Sequence, residues 1–173
     1  MSLASEALRS TKGRVVAGKD VPGSVEVIRG GDVISYLGFN VALRPWVEKN
    51  GETIEKFLAA VSEADQWMRK NPKQAAGIAT RWIPGLKPEI AEAAMQFNIQ
   101  QADRRLSANN FRALWSAEDR LARLGILKST FDVNKHIEPK HILKVMKDKP
   151  ELFADLPPIT ADVAIGPGFV FKP

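Results

Sequence analysis

Apolar and polar residues alternate from Val33 to Arg44. The odd positions, Val33, Leu37, Phe39, Val41 and Leu43, are apolar apart from Ser35; the even ones, Ile34, Tyr36, Gly38, Asn40, Ala42 and Arg44, are mixed. Successive side chains of a strand point to opposite faces, so the pattern predicts a strand with its odd face on a core. The mixed face fits a half-buried strand with one side in water. It also suits a strand bordering a cleft. Gly38 would then let a ligand approach the backbone closely, with Tyr36 and Asn40 supplying hydrogen-bonding groups on either side. These three residues form the candidate ligand-binding set.

Upstream, residues 4–11 read as the last turns of a helix stopped by Gly13, and 13–17 and 25–29 as short strands separated by a Pro22-Gly23 turn. From Pro45 onward the apolar period changes from two to about 3.6 residues, the helical value. A short helix over 45–49 is followed by one that Asn50 caps, with a stripe of Ile54, Phe57, Leu58, Val61, Ala64 and Met68. Asn71-Pro72 starts the next, with Gln74 at the capping-box position and Ala75, Ala76, Ile78, Ala79 and Trp82 as its buried side. Pro88 opens another. Ser107 caps a long helix that Gly125 ends in a left-handed conformation, and Pro139 begins the last, which Pro150 closes. The Pro- and Gly-rich tail after Pro150 reads as extended or partly disordered. The fold class expected is therefore α/β, mostly helical, with its strands in residues 13–44.

At 173 residues, 45% hydrophobic and 26% charged, the chain has the size and composition of one globular domain with a real core. It contains no cysteine, which excludes disulfides and thiolate metal sites. The N-terminus lacks the apolar segment of an export signal, leaving a cytosolic protein or a mature or truncated form. The net charge of +5 arises in residues 101–150, where eleven basic side chains face six acidic ones. No aromatic residues interleave with them at base-stacking spacing, so a solvated basic face accounts for the surplus better than a nucleic-acid site does.

Catalytic chemistry has no clear constellation. His136 and His141 are five residues apart, which does not put them on one helical face, and Gly30-Gly31 lacks the other glycines of a phosphate loop. Trp46, Trp67, Trp82 and Trp115 fall on apolar stripes or their margins and read as core packing. No cofactor or metal is implied.

Three stretches taken together, GRVVAGKDV, ISYLGFNVALRPWVEKNGETIEKFLAAVSEADQWMRKNPKQAAGIA and RLSANNFRALWSAEDRLARLGILK, resemble the C-terminal half of ABC-transporter solute-binding proteins of the nitrate/sulfonate/taurine class. Gly51 departs from that pattern, which usually has proline there, and should weaken only a helix N-terminus. The resemblance implies part of a two-lobed periplasmic-binding-protein fold. Residues 1–31 would end lobe two, 32–150 would supply the crossover strand and helices of lobe one, and 151–173 would form a tail. It implies a small anionic solute such as an aliphatic sulfonate or nitrate, a membrane permease as partner, and an extracytoplasmic location. The N-terminal half and the export signal would lie outside this chain. Amine-sulfonate-binding relatives carry an acidic residue at the position of Asn40, so the neutral amide argues against an aminosulfonate such as taurine.

Two other readings belong to different classes. An enzyme of pyrimidine-precursor biosynthesis on the same fold would need a histidine- and cysteine-bearing site, which a chain without cysteine lacks, and a basic helical nucleic-acid binder would show salt-dependent DNA retention with a steep slope. The unpaired edge of the 33–44 strand, without lysine or proline to protect it, also predicts self-association.

Overall fold

The computed structural model describes residues 38–173. The regular elements there are α1 (Arg44–Lys49), α2 (Gly51–Lys70), α3 (Pro72–Trp82), α4 (Pro88–Gln101), α5 (Ala108–Arg123) and α6 (Lys140–Asp148). Single 3₁₀ turns at Val133–Lys135 and Pro150–Phe153 complete the set.

The α/β expectation is corrected: every regular element among the described residues is helical, and none is a strand. Residues 13–37 lie outside them. Residues 38–43, the second half of the expected central strand, carry no regular structure and are exposed, Val41 to 90% of its surface. Alternation specifies which side chains can share a face. A strand also needs a neighbour for its backbone N–H and C=O groups. The one such group engaged in helix formation is the Leu43 carbonyl, which accepts from Trp46 and Val47 as α1 begins.

Two compact units divide the described chain. The first contains residues 65–102, where the end of α2, α3 and α4 pack around Ala75, Ala76, Ala91 and Met95, with Met68, Leu86 and Ile99 at the margin. Three buried alanines let helix backbones approach closely. Pro84-Gly85 makes the turn between α3 and α4, with Gly85 at φ 77°. Arg69 Nη1 donates to the carbonyl of Ala102 just beyond α4.

The second unit contains residues 38–64 and 103–173. One of its cores joins Ala59 of α2, Ile142 and Val145 of α6, and Leu152 and Phe153 of the second 3₁₀ turn. The other joins Phe111 of α5, Val133 of the first 3₁₀ turn, and Phe171 near the C-terminus. Gly125 ends α5 at φ 69°, with Ile126 donating back to Leu121, as a left-handed C′ residue should. Glu118 is buried and accepts from the Phe131 amide, closing the loop after α5.

Several helix-level expectations are also corrected. Trp82 lies 81% exposed rather than on the buried side of α3, and Trp46, Trp67 and Phe57 are likewise exposed. The amides of Asn50 and Asn71 do not cap the helices that follow. Asn50 Nδ2 donates to the Trp46 carbonyl at 2.7 Å and Asn71 Nδ2 to the Trp67 carbonyl at 2.9 Å, each closing the helix before it. At Ser107 the expected start of α5 holds, with its backbone amide donating to Asn110 Oδ1 at 2.8 Å.

Candidate functional site

Of the ligand-facing residues expected from sequence, Gly38 and Asn40 lie in the exposed segment leading to α1, while Tyr36 lies outside the described residues. A Cβ placed on Gly38 would meet no atom within 4 Å, so the backbone there is open to approach. The segment leaves Gly38 and Asn40 exposed. Arg44, at the first position of α1, has a structural partner, because its Nη2 donates to the Lys135 carbonyl at the end of the first 3₁₀ turn.

Beside that contact is a cleft of about 110 Å³ lined by Ala42, Arg44, Val47, Glu48, His136, Glu138 and Lys140. Two cations and two carboxylates ring it. His136 holds its Nδ1 2.9 Å from the Asp132 carbonyl and its ring edge-on to Phe131, with centroids 4.8 Å apart. Glu138 Oε1 accepts from the Lys140 amide at 3.2 Å, which secures the start of α6.

His141, the other histidine, is on α6 and only 4% exposed. Its Nδ1 lies 3.1 Å from Glu55 Oε1 on α2, and its Nε2 is buried without a hydrogen-bond partner. Glu55 also lies 3.9 Å from Lys144 Nζ, and Lys144 pairs with Asp148 one turn further along α6. That hydrogen bond raises the Lys144 ammonium above its ordinary pKa and lowers the Asp148 carboxyl. The two histidines thus serve different local structures, and no group of three metal-ligating side chains assembles among the described residues. Sequence reasoning missed the Glu55–His141 contact, because eighty-six residues separate the partners. The one visible sign was Gly51, whose missing side chain makes room for the ring of His141.

Over 70 residues, 40% of this chain, the sequence is 36% identical to the "Putative aliphatic sulfonates-binding protein" of Escherichia coli (strain K12). The matched stretch spans 22% of that protein. No family model and no solved structure matches the chain. No helix among the described residues is long and apolar enough to cross a membrane.

Proposed function

We propose that this chain is a portion of the substrate-binding component of an ABC importer for a small anionic solute. An aliphatic sulfonate is the first candidate and nitrate the second. In this reading it performs no chemistry, works outside the cytoplasmic membrane, and delivers its solute to a permease. The observation that carries the reading is the identity over 70 residues with a protein named for aliphatic sulfonates. The open backbone at Gly38 and the exposed amide of Asn40 are compatible with it.

Asn40 narrows the solute. Its amide offers two N–H donors to a sulfonate oxygen but no negative charge to a substrate ammonium. Plain alkanesulfonates are therefore preferred to taurine, with Gly38 and Tyr36 completing the ligand-facing set. Uptake of sulfur-labelled ethanesulfonate by cells with and without the gene tests the proposal. Loss of uptake, restored by the wild-type gene, supports it. Unchanged uptake of ethanesulfonate, and of nitrate in a parallel assay, contradicts it.

A further inference from the structure

The last residues of the chain lie in the second unit as a peptide lies in a receptor. Phe169 and Phe171 turn inward, their ring centroids 5.1 and 6.3 Å from that of Phe111, while Val170 between them is 61% exposed. Phe171 is 7% exposed and packs with Phe111 and Val133. Asn134 grips its main chain from both sides. The Phe171 amide donates to Asn134 Oδ1 at 2.8 Å, and Asn134 Nδ2 donates to the Phe171 carbonyl at 3.0 Å. Such a clamp reads backbone groups that every residue carries, while two aromatic contacts at alternate positions select the sequence. Upstream, the Val163 carbonyl accepts from Ala108, satisfying one of the orphan donors at the start of α5.

We propose that this groove is an exchangeable docking site, whose occupant in trans is the Phe169–Phe171 segment of a second copy of the chain. The occupant's chemistry is on display in cis: an F-x-F segment with its middle side chain facing out. The strap departs through exposed Pro157 and Pro158, whose fixed φ keeps the connection extended. Residues 157–168 can span roughly 40 Å when fully extended, whereas a compact unit of about 100 residues has a radius of gyration of about 13 Å. Full extension opens the turns at Thr160–Ala164 and Gly166–Phe169 and the Ala108–Val163 bond, but it lets Phe169 and Phe171 reach a neighbouring copy's groove and remake the aromatic and Asn134 contacts there. Cis and trans forms then differ in those strap contacts and in effective concentration, on the order of millimolar for a short tether, so exchange grows with protein concentration.

The test uses the full chain and a fluorescein-labelled peptide of residues 160–173. Phe171→Ala weakens the chain's own strap, so this variant should bind the peptide at least about tenfold more tightly than wild type. Adding Asn134→Ala should reverse most of that gain. A Phe171→Ala chain with unchanged helical content that fails to bind the peptide overturns the proposal. Equal binding of a peptide with both phenylalanines replaced by alanine also overturns it. Independently, wild-type chain held near a concentration of about 1 mM is followed by light scattering on dilution. A dimer that Phe171→Ala abolishes and Asn40→Lys leaves intact is expected, the second variant separating strap exchange from pairing through residues 33–44. A monomer at every concentration contradicts exchange whether or not the Phe171 variant folds.

Discussion

The ring of His141 occupies the space that a side chain at position 51 would need: a Cβ on Gly51 would lie 3.0 Å from His141 Cε1. The ring cannot easily yield, because it is buried and its Nδ1 is engaged by Glu55. In a helix interior glycine is weaker than alanine by about 0.5–1 kcal/mol, and at Gly51, the first residue of α2, that intrinsic difference is smaller. At this position the balance should reverse. Gly51→Ala is expected to destabilise the chain by about 1 kcal/mol, and in a His141→Ala background the same change should be neutral or stabilising. A double-mutant cycle by urea denaturation measures the coupling. Equal effects in the two backgrounds would show that the contact is not limiting.

Asn50 and Asn71 provide a sharper test of local structure than their sequence positions suggest. Each looks like an N-cap, where aspartate serves as well as asparagine. Each instead donates its amide to a carbonyl of the helix before it. Asn71→Asp removes that donor and keeps the acceptor, so it should cost about 1 kcal/mol. Chemical denaturation of the variant gives the answer, and unaltered stability would restore the N-cap assignment.

How far the chain could be read from sequence follows from the range of the forces involved. Pro72, Pro88, Ser107 and Gly125 mark helix ends through local geometry, and the helices begin or end close to them. What covers a face depends on distant residues. Trp82 sits on an apolar stripe yet is exposed, and Phe39, Val41 and Leu43 alternate like a strand with no strand beside them among the described residues. The clamp of Asn134 on Phe171 joins residues thirty-seven apart through two side-chain atoms. No periodicity records such a contact. Of the candidate site, Gly38 and Asn40 were expected on a strand bordering a cleft and instead lie in an exposed segment without regular structure, and the charged cleft beside Arg44 left no sign in the sequence.

Ser62 is 1% exposed, and its hydroxyl has no hydrogen-bond partner. Burying a hydroxyl without a partner costs about 1–3 kcal/mol on protein mutational scales. Ser62→Ala removes that cost and improves helix propensity within α2. Its thermal midpoint should rise, and a fall would show that the hydroxyl has a partner.

Acid should weaken the helices through their exposed ion pairs. Hydrogen bonds from Lys56 and Lys144 lower the carboxyls of Glu52 and Asp148 below their ordinary values of 4.5 and 3.8. A depressed carboxyl contributes stability that is complete above its unfolded pKa and lost as pH falls through its folded value. The loss therefore belongs below about pH 4, and both pairs lie at the surface, the Lys144–Asp148 pair about half exposed, so it should be small and diminish with salt. The raised pKa of Lys56 and Lys144 puts their own loss at the alkaline end, above 10.5. Denaturation of the double variant Glu52→Gln, Asp148→Asn across this range should show a shallower acid limb than wild type; an identical limb would assign it to other carboxylates.

The solute-binding reading meets its most direct test in calorimetric titration of the intact gene product with ethanesulfonate, taurine and nitrate. The account predicts a micromolar dissociation constant for ethanesulfonate, weaker binding of taurine, and about a tenfold loss of ethanesulfonate affinity on Asn40→Ala. Flat titrations with all three solutes, or an affinity indifferent to Asn40, would contradict it.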